Sequence, residues 1–221
     1  MTPAGITAPR GPARRAGGRK VKVLEAAGRV IAERGADATR FADVAAESGV
    51  PVSTLQYYFG SREDLLVAAF RHASGTETAA LEAELAALED PWDRLTRIVA
   101  RALAGYQAET AEPGRLWIES WRFGIRDAEM RADVLRDYAA WRGLVADAVR
   151  SGISSDRFST RHAPERIAVL TIALVDGVGI PLALGDPEIT PAAAAADILS
   201  ALAGLLRPSA LATPSCTPGM G

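Results

Sequence analysis

Apolar side chains recur at intervals of three and four residues from about residue 19 to 206, and no window of alternating β-branched residues reaches five. That periodicity predicts helices throughout and no sheet. A first helix covers about 19–34, where Val23, Ala27, Val30 and Ile31 share a face and Gly35 supplies a left-handed stop. Ser61 and Asp64, three apart, form a capping box that opens a long helix over about 62–88. Asp90-Pro91 places an N-cap and a first-turn proline ahead of a helix to about 110. Pro113-Gly114 breaks the chain before a helix near 115–126, and another runs over about 128–151 up to Gly152. Pro164 and Thr190-Pro191 open the last two, over about 164–184 and 191–206. The expected fold is all-α, with about nine helices.

The segment 35–66 carries two helices of a different kind. Phe41, Val44 and Ala45 give the apolar side of a helix only about seven residues long, followed by the sharp turn Ser48-Gly49-Val50. A second short helix starts near Pro51, with Leu55 and Tyr58 turned inward and Val52, Ser53, Thr54, Gln56 and Tyr57 outward. Helices this short need packing partners to persist. Two of them joined by a glycine turn, with a polar outer face on the second, match a helix-turn-helix. A generic helical hairpin has the same spacing.

Charge sharpens this. The chain of 221 residues has a formal net charge of −2, unremarkable until it is divided. Residues 1–71 hold 11 Lys+Arg against 7 Asp+Glu, a net +4, while residues 72–221 hold 14 against 20, a net −6. The N-terminal third is the part suited to a polyanion. Residues 1–18 read as a flexible basic arm whose Arg10, Arg14 and Arg15, continued by Arg19, Lys20 and Lys22, either enter a minor groove or act as a solvated tail. Residues 208–221 read as a disordered tail that holds the single cysteine, Cys216, which rules out an intramolecular disulfide and a CxxC site. The longest apolar run, Ile167 to Val175, stops at Asp176, about half of what a bilayer needs, and the N-terminus lacks the apolar core of a signal peptide. A soluble cytoplasmic protein without a membrane partner is expected.

The stretch 20–70, with VLEAAGRVIAERG, DATRFADVAAESGV and STLQYYFGSREDLL, resembles the N-terminal DNA-binding domain of the TetR family of transcriptional regulators. LWIESWRFGIRDAEMRADVLRDYAAWR and LVDGVGIPLALGDPEIT look like the C-terminal region of its BetI-type subgroup. The resemblance implies a DNA-binding domain over 19–70 and a ligand-binding and dimerisation domain over 71–207. It implies a homodimer on a near-palindromic double-stranded operator, acting most simply as a repressor released by a small-molecule effector. It also implies DNA contacts at Thr39, Arg40, Val52, Ser53, Thr54, Gln56, Tyr57, Tyr58, Ser61 and Arg62. Three positions depart from the family pattern. Arg40 stands where a capping Ser or Thr is common, Pro51 replaces a capping Ser, and Gln56 replaces a Tyr. Gln56 has the chemistry to read adenine N6 and N7, or is a solvated polar side chain.

In the body, the helix containing Ile167–Val175 is apolar on every side and must be covered all round, in part by a second subunit. Leu170, Leu174, Val178, Ile198, Leu199 and Leu202 are the interface positions expected on the last two helices. A twofold dimer sets two recognition helices about 34 Å apart. Aromatic residues gather between 92 and 141, and Tyr106, Gln107, Trp117, Trp121, Trp141 and Leu174 are the expected effector contacts. They are equally compatible with a plain core. With Glu119 or Asp176 beside them they suit a cation, and a flat hydrophobic ligand fits as well. Asp176 is otherwise a cap or an interface ion-pair member. No catalytic motif, cofactor fingerprint or metal-ligand spacing appears, so no enzyme, cofactor or metal is expected. A helical small-molecule binder with weak or no specific DNA binding is the competing reading.

Overall fold

The computed structural model describes residues 12–106 and 112–208, and among these it contains nine helices and a single isolated bridge, Phe158 to Pro208. The helices are α1 (Pro12–Arg34), α2 (Phe41–Ser48), α3 (Val52–Phe59), α4 (Arg62–Ala86), α5 (Pro91–Ala104), α6 (Glu112–Gly124), α7 (Ala128–Ser154), α8 (Pro164–Leu184) and α9 (Pro191–Leu206). The all-α expectation holds. Arm residues 1–11, Gln107 and the tail from 209 with Cys216 lie outside the described residues.

Several boundaries moved, each for a physical reason. α1 begins at Pro12, so residues 12–18, expected in the flexible arm, continue the helix; a first-position proline followed by Ala and Arg favours this. α5 ends at Ala104 rather than near 110. α6 begins at Glu112 and takes Pro113-Gly114 into its first turn, where a proline without an N–H is tolerated. α7 runs past Gly152, which is not a stop signal. A Cβ on Gly152 would stand 2.0 Å from the Phe158 ring, so glycine is there to admit that buried side chain.

The chain forms two compact units, residues 1–78 with 110–137 and residues 79–109 with 138–221. In the first, α1 buries Val23, Ala26, Ala27, Val30 and Ile31, and packs on α2 and α6. Gly35 (φ +82°) ends α1, with its N–H on the Ile31 carbonyl at 2.8 Å. Phe70 of α4 stacks on Phe123 of α6 at 6.5 Å between ring centroids. Arg71 of α4 grips α7 through Asp133 (2.6 Å) and Glu129 (2.8 Å).

In the second unit α5 packs on α8 and α9. The α5 side chains Leu95, Ile98, Val99 and Leu103 are buried, as are Ile167, Ala168, Thr171, Ile172, Val175, Gly179 and Leu182 of α8 and Ala194, Ile198, Leu202 and Leu206 of α9. The Asp90 carboxylate caps α5 by accepting from the Trp92 N–H at 2.7 Å, and Thr190 caps α9 through the Ala193 N–H at 3.2 Å, both as expected. Contrary to the reading of the apolar run, α8 is long and apolar enough, by length and composition, to cross a membrane. Its buried stripe is core, and Asp176 interrupts it halfway.

Candidate DNA-reading surface and effector region

The α2–α3 pair is built by its glycines and by a bonded turn. Gly49 (φ +67°) closes α2, donating its N–H to the Ala45 carbonyl at 2.9 Å, and Gly60 closes α3 on the Gln56 carbonyl at 2.8 Å. Ser61 and Asp64 form the predicted capping pair: Ser61 Oγ accepts the Asp64 N–H at 3.0 Å and donates to the Asp64 carboxylate at 2.6 Å. Arg40 is the N-cap of α2, and its backbone N–H is satisfied by Asp43 Oδ2 at 3.0 Å. Reach-back by Asp43 therefore compensates for the missing Ser or Thr.

On α3 only Leu55 and Phe59 are buried. Ser53, Gln56 and Tyr57 are exposed, Val52, Thr54 and Tyr58 are half-buried, and Tyr57 stands 86% exposed. Arg40 is exposed as well. Two expected DNA contacts behave otherwise. Thr39 is buried and its hydroxyl donates to the Gly35 carbonyl at 2.9 Å, so its side chain serves the turn and not the surface. The Arg62 guanidinium is likewise spent inward: Nε donates to the Thr39 carbonyl at 2.6 Å, Nη2 to the Ala36 carbonyl, and Nη1 to Glu63 at 3.1 Å.

The same turn is held from α6, a contact that no local spacing predicts. Glu119 Oε2 accepts the Ala36 N–H at 2.8 Å, and Arg122 bridges Glu119 (3.0 Å) to Asp37 (2.6 Å). The Arg122 hydrogen bond and charge hold the Asp37 carboxyl below the usual carboxylate range. Residues 35–39 are thus fastened by the N-terminus of α4 and by the middle of α6 within one unit. Glu119, expected beside an aromatic cage, belongs to this fastening.

The expected effector contacts divide between the units. Trp117 and Trp121 pack edge to face on α6 at 5.6 Å in the first. Tyr106, Trp141 and Leu174 lie in the second. There Tyr106 is buried against α8: a Cβ on Gly179 would come within 2.6 Å of its ring, so glycine is required. Asp176 accepts the Tyr138 hydroxyl at 2.7 Å. Burial, with the Asp176 charge adding to it, pushes the Tyr106 phenol well above its usual value, and burial with the Asp176 hydrogen bond does the same for Tyr138. The Arg142 guanidinium lies 4.9 Å over the Tyr138 ring. Tyr138 and Arg142 were absent from the expected set; their i, i+4 spacing was visible in the sequence, but the approach of Tyr138 to Asp176, 38 residues away, was not.

Of the expected interface residues, Leu170, Val178 and Leu199 are half-exposed and Leu174 is 39% exposed. Ile198 and Leu202 are buried at 3% and 0% and belong to the unit's own core, because α9 turns its 194-198-202-206 stripe inward. Of these two helices it is α8 that leaves large apolar side chains exposed, Leu174 with Ile180 (45% exposed) and Leu184 (81%). Among the described residues no group of three or more His, Cys, Asp or Glu could hold a metal ion.

A short glycine-linked helix pair with an exposed polar face, joined to a body that is helical among the described residues, is the arrangement of a helix-turn-helix protein. The tetR family model of bacterial regulatory proteins matches residues 23–69, and the model of the BetI-type transcriptional repressor C-terminal region matches residues 91–207. The chain belongs to the TetR family of transcriptional regulators, with a BetI-type C-terminal region. It is similar to the HTH-type transcriptional regulator BetI of Burkholderia ambifaria, 30% identical over 178 residues that cover 79% of this chain and 88% of the relative. The Brucella anthropi BetI is 29% identical over 178 residues, covering 80% and 88%. A solved structure of a transcriptional regulator from Saccharomonospora viridis in complex with choline is 25% identical with a TM-score of 0.77, covering 85% of this chain and 96% of that one. The FadR regulator of Bacillus subtilis, solved with stearoyl-CoA, shares the fold at 18% identity and a TM-score of 0.69, covering 82% and 96%.

Proposed function

We propose that this regulator is a cytoplasmic, non-enzymatic homodimeric repressor that binds a near-palindromic operator and is released by a small-molecule effector. The observation that carries the reading is the exposed edge of α3, Ser53, Gln56 and Tyr57, on a helix whose fully buried side chains are Leu55 and Phe59. Gln56 reads a base, while Arg40, Tyr57 and Ser61 serve the backbone phosphates. The uncovered α8 face, Leu174, Ile180 and Leu184, supplies the dimer seam. The effector site draws on Tyr106, Trp141, Leu174 and Asp176 of the second unit; the choline held by the Saccharomonospora relative supports a ligand with a cationic head.

Release is a population shift. An effector that favours one arrangement of the body by about 1–3 kcal/mol lowers operator affinity 5–150-fold. The test titrates the full chain into labelled DNA from upstream of its own gene and into random duplex at several salt concentrations. Selective binding that outlasts the steep salt loss of phosphate contacts is expected. Equal, salt-labile binding to both, with a small molecule still quenching the tryptophans, would favour a ligand-binding protein without an operator there.

A further inference from the structure

Of the 25 basic side chains only two are lysines, Lys20 and Lys22, and both stand on α1, which packs on α2. They hold the chain's only side-chain amines. Both are exposed, and among the described residues neither has an ion pair or a hydrogen bond. The nearby arginines are spent differently. Arg29 and Arg34 of α1 pair with Glu47 at 2.8 Å and Asp43 at 2.6 Å, and Arg62 donates to the Thr39 carbonyl. Lys20 instead has an aromatic neighbour: its Nζ lies 5.4 Å from the centre of the Phe59 ring, and Phe59 is the last residue of α3. That is within cation–π range, so an uncommitted charge stands at the end of the helix that offers Gln56 and Tyr57. Lys22 lies about 200° farther round α1.

An exposed ammonium in the net-positive N-terminal third attracts two kinds of anion. One is a DNA phosphate, and the other is an activated acyl compound that carries phosphate groups of its own. We infer that Lys20 is an acyl-accepting switch on DNA binding, modified by an acyl phosphate or by the acyl thioester of a phosphate-bearing carrier. The deprotonated Nζ attacks the acyl carbonyl carbon and a C–N bond forms. The C–O or C–S bond breaks, phosphate or thiolate leaves, and the amine proton passes to solvent. The product is a neutral amide. One step thus takes a positive charge from the DNA face and the cation from the Phe59 ring. This rests on the DNA-binding reading above and adds a control that needs no effector in the body.

The experiment incubates the full chain with acetyl phosphate and, separately, with acetyl-CoA, and maps the adducts by mass spectrometry. The products are then titrated with random duplex and with DNA from upstream of the chain's own gene at several salt concentrations. Acetylation of Lys20 by at least one donor is expected, and it should slow when duplex is bound beforehand. The modified chain should bind both duplexes about tenfold more weakly at about 0.1 M salt, with a salt slope smaller by about one phosphate contact. Treated Lys22→Arg should lose as much. Treated Lys20→Arg should change by less than about twofold against its own untreated sample, because the reactive amine is gone. No adduct at Lys20 from either donor, an adduct that leaves affinity unchanged, or equal losses in the two variants would overturn the switch. Random duplex reads the lost charge even where no selective site is found, so failure of sequence reading by α3 leaves this result standing, whereas a chain that binds no duplex at all would overturn both.

Discussion

The α2–α3 pair and the α8–α9 pair are both helical, yet different forces hold them. α2 and α3 are eight residues each and bury only two side chains apiece, Val44 and Ser48, Leu55 and Phe59. They keep their place through the bonded turn at 35–39, where Arg62, Glu119 and Arg122 converge. α8 has the Tyr138–Asp176 hydrogen bond and the Arg150–Glu165 ion pair, but α8 and α9 bury stripes of seven and four positions that are mostly apolar. The first pair can therefore leave polar side chains outside for a polyanion, and the second leaves leucines outside for another apolar surface. Two kinds of recognition follow from two kinds of internal support.

Substitutions that cut each support separate them. Leu202→Ala should have the largest effect, about 3 kcal/mol lost in urea unfolding, because a fully buried side chain vanishes from the α9 stripe. A loss within the range of a surface change would place Leu202 outside the core. Arg62→Ala should cost about 2 kcal/mol, since two backbone carbonyls lose charge-assisted donors. It should be visible without DNA; an unchanged midpoint would return Arg62 to the phosphate-contact role. The paired change Leu174→Glu with Leu184→Glu should alter monomer stability by less than about 0.5 kcal/mol yet abolish dimerisation in sedimentation. A variant that sediments as a dimer would remove α8 from the interface.

The smallest effects are in acid. Burial pushes the Asp90 carboxyl up, but the Trp92 N–H and the Arg157 guanidinium at 2.5 Å outweigh it, and its pKa falls below the ordinary carboxylate value. A depressed pKa means that its stabilisation is complete above about pH 4 and drains away as the pH falls through the folded value. The gap in urea midpoint between the native chain and Asp90→Asn should be open at pH 7 and shrink toward pH 3. A gap that widens in acid would reverse the sign. Exposed Asp37 should show a still smaller loss in the same direction.

Much of this was legible in the sequence where a side chain punctuates the backbone. Asp90, Thr190, the Ser61–Asp64 pair and Gly49 each mark an end that the structure realises. Glycine was ambiguous: Gly49 stops a helix, whereas Gly152 and Gly179 make room for Phe158 and Tyr106, and local pattern does not tell turning from packing. Periodicity identified the apolar stripe of α9 but not what covers it, so Ile198 and Leu202 were expected at a partner and lie in the core. Arg62 and Thr39 matched surface roles by position, while contacts 23 and 4 residues away draw them inward. Glu119 bonds across 83 residues, and no spacing rule reaches that far.

The most direct test of the central claim, that the outer face of α3 reads DNA sequence, is selection of binding sites from a random duplex pool by the native chain and by Gln56→Ala. The account predicts an enriched near-palindrome with half-sites about one helical turn apart, and relaxation in Gln56→Ala at one symmetric pair of positions. No enrichment over the input pool would contradict the reading of this surface, and an identical motif from both proteins would show that Gln56 does not read a base.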